Sequence, residues 1–316
     1  MPIPISTTLY TDPACPWGYS ASPALRVLEW RYGSQLDWRL VVIGLTENAD
    51  QYVARGFTPL RMARGTASFR RFGMPFALEP KARASATARA CRAIVAARLN
   101  QPGSEWKALR ALQLMQFTTP LILEDDVRVS AIVAAATGVP SAAILEALDG
   151  PAVTEAYERD REEARSAAGT AAERQDKTAV TDEGIARYTA PSLIFERGGP
   201  RLVAGGFQPV EAYDVLVSNL DPAIERRAAP GDAAEVLEAF PDGLTTQEVA
   251  AIMTSGNDRV DRDAAELALL ELVSDGRIAR IGLGDDAVWL DPAHADTLRS
   301  VLDAALSSSE LEAVGF

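Results

Sequence analysis

Residues 5–12, "ISTTLYTD", and the turn after them limit the fold more than any other stretch. The segment is rich in β-branched residues and stops at an Asp-Pro breaker, which reads as a strand. From about Trp17 to Arg31 the spacing of Tyr19, Leu25, Leu28 and Glu29 turns helical, and Tyr32, Gly33 and Ser34 close that helix. "LDWRLVVIGL" (36–45) is a second strand whose end is continuously apolar, as a buried parallel strand is. Strand, helix and buried strand in so short a space make a βαβ unit.

From about Asp50 to Ala172 the pattern changes to a helical block. "ASATARACRAIVAARL", "EWKALRALQLMQF", "DDVRVSAIVAAATG", "PSAAILEALDG" and "AVTEAYERDREEARSAA" are alanine-rich, helix-period segments separated by turn residues. "APSLIFERGGPRLVAGGF" (190–207) then reads as two short strands joined at Gly198-Gly199-Pro200. "QPVEAYDVLVSNL" (208–220) is a closing helix with Pro209 in its first turn. This order is the skeleton of an α/β thioredoxin fold with a large α-helical insertion.

Beyond the Pro-, Ala- and charge-rich linker 221–232, "AAEVLEAF", "LTTQEVAAIM" and "DAAELALLELVSDG" read as three helices, with Thr245 and Glu248 spaced as a capping box. "RIARIGLGDDAVWL" (277–290) reads as two strands around Gly284-Asp285-Asp286. Together they make a small winged-helix-like α+β unit. The expected domains are therefore 1–222, with the insertion at about 50–180, and 232–306. Low complexity is confined to the alanine richness and the tail "SSSELEAVGF" (307–316).

Charge and composition narrow the function. The net charge of −13 works against binding a phosphate backbone. The third C-terminal helix carries Asp263, Glu266 and Glu271 and no basic residue, and the flanking Arg259, Arg262, Arg277 and Arg280 are matched by acids. A packing or dimerising unit is expected over a nucleic-acid reader, and a homodimer stays open. No apolar run approaches the roughly 20 residues that cross a bilayer. The start, "MPIPISTTLYTD", lacks the basic and apolar regions of a signal peptide, so a cytoplasmic location and no membrane partner are expected. His294 is the only histidine, with no histidine or cysteine near it in sequence, so no metal site is expected and only His294 could serve a cysteine or serine nucleophile as base.

Two cysteines cannot build a disulfide framework, and a reducing compartment keeps both as thiols. Cys15, in "DPACPWGY", stands where a strand gives way to a helix. Unpaired N–H groups and the helix dipole favour a thiolate there, Pro16 suits a rigid first turn, and Trp17 offers an apolar wall. The competing reading is a buried, inert small residue. Cys91, in "TARACRAIVAARL", is flanked by Ala90, Ile94, Val95 and Ala96 and reads as core, with duty as a second reactive thiol as the alternative.

"DPACPWGY" after the first strand resembles the active-site segment of DsbA-type thioredoxin-fold proteins, and among them the cytoplasmic FrnE-like branch, where Asp-Pro-x-Cys-Pro-Trp-Cys-Tyr is typical. The likeness extends over about residues 5–220, including "TAPSLIF". Asp12, Pro13, Cys15, Pro16, Trp17 and Tyr19 match the motif, and Gly18 stands where it has a second cysteine. The resemblance implies that Cys15 is the catalytic nucleophile and that Pro191 is the cis-proline opposite it. A cis Ala190–Pro191 bond leaves Ala190 free to pair with an extended thiol substrate; a trans proline opening a strand is the alternative. Thr189, Gly205, Gly206 and Gln208 then form the ligand side, where amides before the last helix meet a carboxylate such as that of a γ-glutamyl thiol, or else make a plain turn.

Gly18 cannot resolve a mixed disulfide. What remains is a single-cysteine oxidoreductase with glutathione or mycothiol as co-substrate and no bound cofactor. A second possibility is a transferase or isomerase of the kappa-class or 2-hydroxychromene-2-carboxylate isomerase type, which use serine at this site. The third is a non-catalytic scaffold for a ligand or peptide.

Overall fold

The computed structural model describes residues 3–256 and 258–307, so all but the first residue of the "SSSELEAVGF" tail lies outside the described residues. A four-stranded sheet of order β2-β1-β5-β6 is built from β1 (Ile5–Thr11), β2 (Leu36–Val42), β5 (Ser192–Glu196) and β6 (Arg201–Gly205). β1 runs parallel to β2, from Ile5 opposite Leu36 to Thr11 opposite Val42, and antiparallel to β5. The apolar end of β2, Leu40 to Val42, and Ile43 just after it are entirely buried, as their continuous hydrophobicity requires.

The single helix expected over 17–31 is two, α1 (Pro16–Ser20) and α2 (Ser22–Tyr32), divided at Ala21. Pro23 sits in the first turn of α2 and has no N–H to continue the ladder from α1. The insertion holds α3 (Asp50–Ala54), α4 (Pro59–Phe69), α5 (Ala88–Asn100), α6 (Glu105–Thr118), α7 (Asp126–Thr137), α8 (Ser141–Ala147), α9 (Pro151–Ala164) and α10 (Ala171–Arg174). Between α10 and β5 lies a two-stranded hairpin that the sequence reading lacked, β3 (Thr178–Val180) and β4 (Ala186–Tyr188). Its strands are three residues long, too short to show alternation. α11 (Val210–Leu220) closes the sheet against α2, β5 and β6; Pro209 caps it and does not lie in its first turn.

The C-terminal block runs α12 (Ala233–Ala239), β7 (Leu244–Thr245), α13 (Thr246–Met253), α14 (Arg262–Ser274), β8 (Ala279–Leu283), β9 (Asp286–Leu290) and α15 (Ala295–Leu306), with an antiparallel sheet of order β7-β9-β8. α13 packs on α2, and α15 lies along α7 and touches α6. Leu290, Leu298 and Val301 share one hydrophobic core with Leu28, Ile94 and Ile132, while Trp289 joins Val27 and Trp30 in a second. The turn between β8 and β9 is tied to the irregular segment before α5. Phe76 N donates to Asp285 Oδ1 at 2.8 Å, Asp285 N donates to Phe76 O at 3.2 Å, and Arg70 pairs with the same carboxylate. Gly284 has φ +56°, and a Cβ there would lie 2.7 Å from the Phe76 carbonyl carbon, so the close approach needs glycine.

Glu248 is the buried ion of this junction. It completes the capping box with Thr245 and accepts two bonds from Arg110 on α6, at 2.7 and 2.8 Å, and one from Ser22 on α2. Burial alone would raise its pKa; the Arg110 guanidinium, Arg26 and Ser22 outweigh that and hold it at about 2. Because the folded value lies below the ordinary glutamate value of 4.5, Glu248 contributes stability above pH 4.5 that is lost as pH falls towards 2. Glu248→Gln is expected to lower unfolding free energy by about 3–5 kcal/mol, since it strands the Arg110 charge. Denaturant titrations between pH 2 and 7 should also show a flatter acid limb for the variant than for the natural chain.

Candidate active site

β1 delivers its last residues into a turn that ends at Cys15, the N-cap of α1. Asp12 organises that turn from within the core. Its Oδ1 accepts from Ala14 N at 2.9 Å, and its Oδ2 accepts from Leu45 N at 3.0 Å and Thr87 Oγ1 at 2.9 Å. Cys91 Sγ donates to the same Oδ2 at 3.6 Å. Cys91 is thus buried with its S–H directed at Asp12, and burial pushes its thiol well up.

Cys15 is 6% exposed, and its Sγ donates to Ala190 O at 3.2 Å. The Ala190–Pro191 peptide bond is cis. The helix start was expected to favour a thiolate, yet the thiol is pushed up to about 11. Burial is the main cause and the Asp12 charge adds to it; the N–H groups of Gly18 and Trp17 and the guanidinium of Arg187 pull the other way and lose. α1 has only five residues, and Cys15 belongs to a buried cluster with Tyr10, Val41, Ile43, Tyr188 and Ala190 rather than standing in water.

Gly18 is not an empty position. A Cβ built there would lie 3.6 Å from Cys15 Cβ, within the separation that a disulfide spans, but 2.5 Å from Thr11 Oγ1. The Thr11 hydroxyl is buried, makes no hydrogen bond among the described residues, and fills the space of a second cysteine's first atom.

The other residues singled out from sequence divide into two groups. Trp17 is 40% exposed and packs against Phe69, Phe72 and Phe207 at centroid distances of 4.8, 5.5 and 5.5 Å. Pro16 stands beside it at the first position of α1, and Pro13 is buried in the turn. Tyr19 points away from the thiol: it stacks on Phe117 at 4.8 Å and its hydroxyl donates to Pro75 O at 2.9 Å, anchoring α1 to α6. Thr189, Gly205 and Gly206 gather around Lys177, whose carbonyl accepts from Thr189 Oγ1 at 3.1 Å. Gly206 N donates to Ser192 Oγ at 3.4 Å and the Gln208 amide to Gly205 O at 2.7 Å, so these groups are already engaged within the chain. His294 stands elsewhere, on the C-terminal block 4.0 Å from Asp242. No group of three or more metal-ligating side chains occurs among the described residues, nor is any described helix long and apolar enough to cross a membrane.

Beside the thiol's turn opens a pocket of about 610 Å3 that the sequence reading did not find. Ala14, Pro16 and Trp17 form one wall; Tyr52, Phe57 and Phe69 from the start of the insertion, and Phe117 from α6, form others. Its residues come from segments far apart in the chain, so no local pattern announces it. Arg187 was missed for the same reason, although it sits only three residues before Ala190.

The family model of the DSBA-like thioredoxin domain matches residues 7–170. Among solved structures, a proposed protein disulfide isomerase from Nitrosomonas europaea aligns at 17% identity and TM-score 0.52, covering 68% of this chain and 97% of its own. A probable DsbA oxidoreductase from Streptomyces coelicolor aligns at 14% identity and TM-score 0.52, covering 69% and 91%. At these identities the likeness is one of fold. No curated protein matches the chain.

Two outcomes are expected. Alkylation of Cys15 by iodoacetamide should quicken about tenfold per pH unit from 7 towards 10, because the thiolate fraction rises until pH passes the pKa; a rate that levels off near pH 8 would show that the helix start prevails over burial. Gly18→Cys alone should resist oxidation by diamide to a disulfide with Cys15, whereas adding Thr11→Ala should permit it, read by intact mass as the loss of two hydrogens. Equal oxidation of both variants would show that Thr11 does not guard the position.

Proposed function

The chain belongs to the DSBA-like thioredoxin-domain family, and from that premise we propose that it carries out single-thiol exchange at Cys15 with a low-molecular-weight thiol such as glutathione or mycothiol. The observation that carries this reading is the meeting of Cys15 Sγ with Ala190 O beside the cis bond, with Thr11 in place of a second sulfur.

At rest the thiol is neutral and spends its proton on Ala190 O. An extended substrate pairing along residues 189–190 offers its own N–H to that carbonyl, which frees the S–H. The Cys15 thiolate then attacks one sulfur of the substrate disulfide, forming a mixed disulfide and expelling the other half as a thiolate, which takes up the proton. A small thiolate attacks the mixed disulfide next, regenerating Cys15 and leaving as a new disulfide. No net oxidation occurs, and no second protein cysteine is needed. The two buried free thiols suit a reducing cytoplasm.

The pocket beside Trp17 favours a second reading, a thiol-dependent transferase or isomerase in which an organic substrate occupies those 610 Å3 or so. The C-terminal block, 232–306, we read as a winged-helix-like packing unit. α14 presents Asp263, Glu266 and Glu271, and Arg262, which is its first residue and not a flanking one as expected, is paired with Glu266 and Asp286, so this helix leaves little positive charge for a phosphate backbone.

Incubation with oxidised glutathione at pH 9, followed by intact mass, should give one glutathione adduct on the natural chain and none on Cys15→Ser, and reduced glutathione should remove it. Absence of any adduct on the natural chain would sink thiol exchange. A glutathione-dependent turnover that survives Cys15→Ser would favour the transferase.

A further inference from the structure

Lys81 lines the pocket beside the thiol's turn, in the irregular segment between α4 and α5. Its ammonium donates to Gln116 Oε1 at 2.9 Å and to Leu121 O. An ammonium has three N–H donors, and the third has no partner among the described residues. No carboxylate forms an ion pair with it among the described residues. Glu79 also lines the pocket but is solvent-exposed and unpaired with Lys81; Arg61, the other charged residue there, turns back to Gly56 O and stacks over Phe57.

A cation without a counter-ion, set in a wall of Trp17, Tyr52, Phe57, Phe69 and Phe117, is an incomplete arrangement. Burial alone lowers the Lys81 pKa to about 7, with no neighbouring charge to offset it. We infer that the pocket binds an apolar acid, a carboxylate carried on an apolar body, with its charge on Lys81 and its body against the aromatic wall that includes Trp17. The carboxylate supplies the missing counter-ion and accepts the spare N–H. A neutral amide isostere fills the same volume and its carbonyl can accept the same N–H, but it brings no counter-charge, so discrimination between the two reads the charge on Lys81.

The inference rests on the proposed function only in placing the ligand next to Cys15; its chemistry is independent of the thiol. Calorimetric titration of the full chain at pH 6.5 with 4-phenylbutanoate and with 4-phenylbutanamide tests it. The acid is expected to bind the natural chain at least about tenfold tighter than the amide, the range of one charge-assisted hydrogen bond. In Lys81→Met the acid should lose that advantage, its affinity falling at least about tenfold more than that of the amide, which gives up at most one hydrogen bond and no counter-ion. Arg61→Met and Cys15→Ser should both retain the preference, the latter even where all thiol exchange is gone. Equal affinity of acid and amide for the natural chain, no binding of the acid, a preference that survives Lys81→Met, or one erased by Arg61→Met would each overturn the assignment. The comparison of the two ligands on the natural chain stands even where Lys81→Met does not fold.

Discussion

Asp12 is a buried carboxylate, and the position of the Cys15 thiol depends on it. Its two oxygens gather donors from the turn before α1, from the chain leaving β2, and from Thr87 and Cys91 at the start of α5. Each bond offsets part of the desolvation that raises its own pKa. The sheet, the turn and the helical insertion meet at this side chain, so the place of Cys15 relative to the cis bond is set by a group that is itself fully buried. The same charge makes a thiolate nearby more costly. Holding the turn and activating the sulfur are therefore opposed demands on one residue, and Arg187 on β4 is the cation placed to moderate them.

The C-terminal block enters the structure through a comparable device. Glu248 draws Arg110 from α6 and Ser22 from α2 onto the first turn of α13, and the apolar faces of α13 and α15 then close against α2 and α7. A buried ion pair of this kind adds little net stability over well-packed apolar side chains, but it strongly penalises any arrangement that leaves either partner alone. Its contribution here is to fix one docking geometry between α2, α6 and α13.

Much of this was legible from the chain. The β-branched run of β1, the Asp-Pro break, the alanine-rich helices and the Gly-Gly-Pro hairpin follow from local preference, and "DPACPWGY" pointed to the family. Pro23 carried a visible signal that α1 and α2 are separate. α15 was also within reach, for Leu298, Val301, Leu302 and Ala305 fall at helical spacing. The thiol's state was not, because it depends on how deeply Cys15 is buried in a cluster that draws Tyr188, Ala190 and Ile194 from far along the chain. Thr11 was illegible for a similar reason: only three-dimensional register places its hydroxyl over Gly18. Lys81 looks like any surface lysine in a Pro-Lys-Ala stretch until the fold surrounds it.

The turn between β8 and β9 has a mechanical consequence. Residues 73–87 contain no regular helix or strand, yet Ala77, Pro80, Lys81 and Ser85 from this stretch help to wall the pocket. Chain of that kind is held by little of its own making, and here the Phe76 amide and carbonyl are both clasped by Asp285. The hairpin thus works as a splint, set by the last third of the chain against a wall made in the first. Cutting the protein after residue 222 would remove the splint along with the block, and leave this stretch of the pocket wall without its Asp285 clasp.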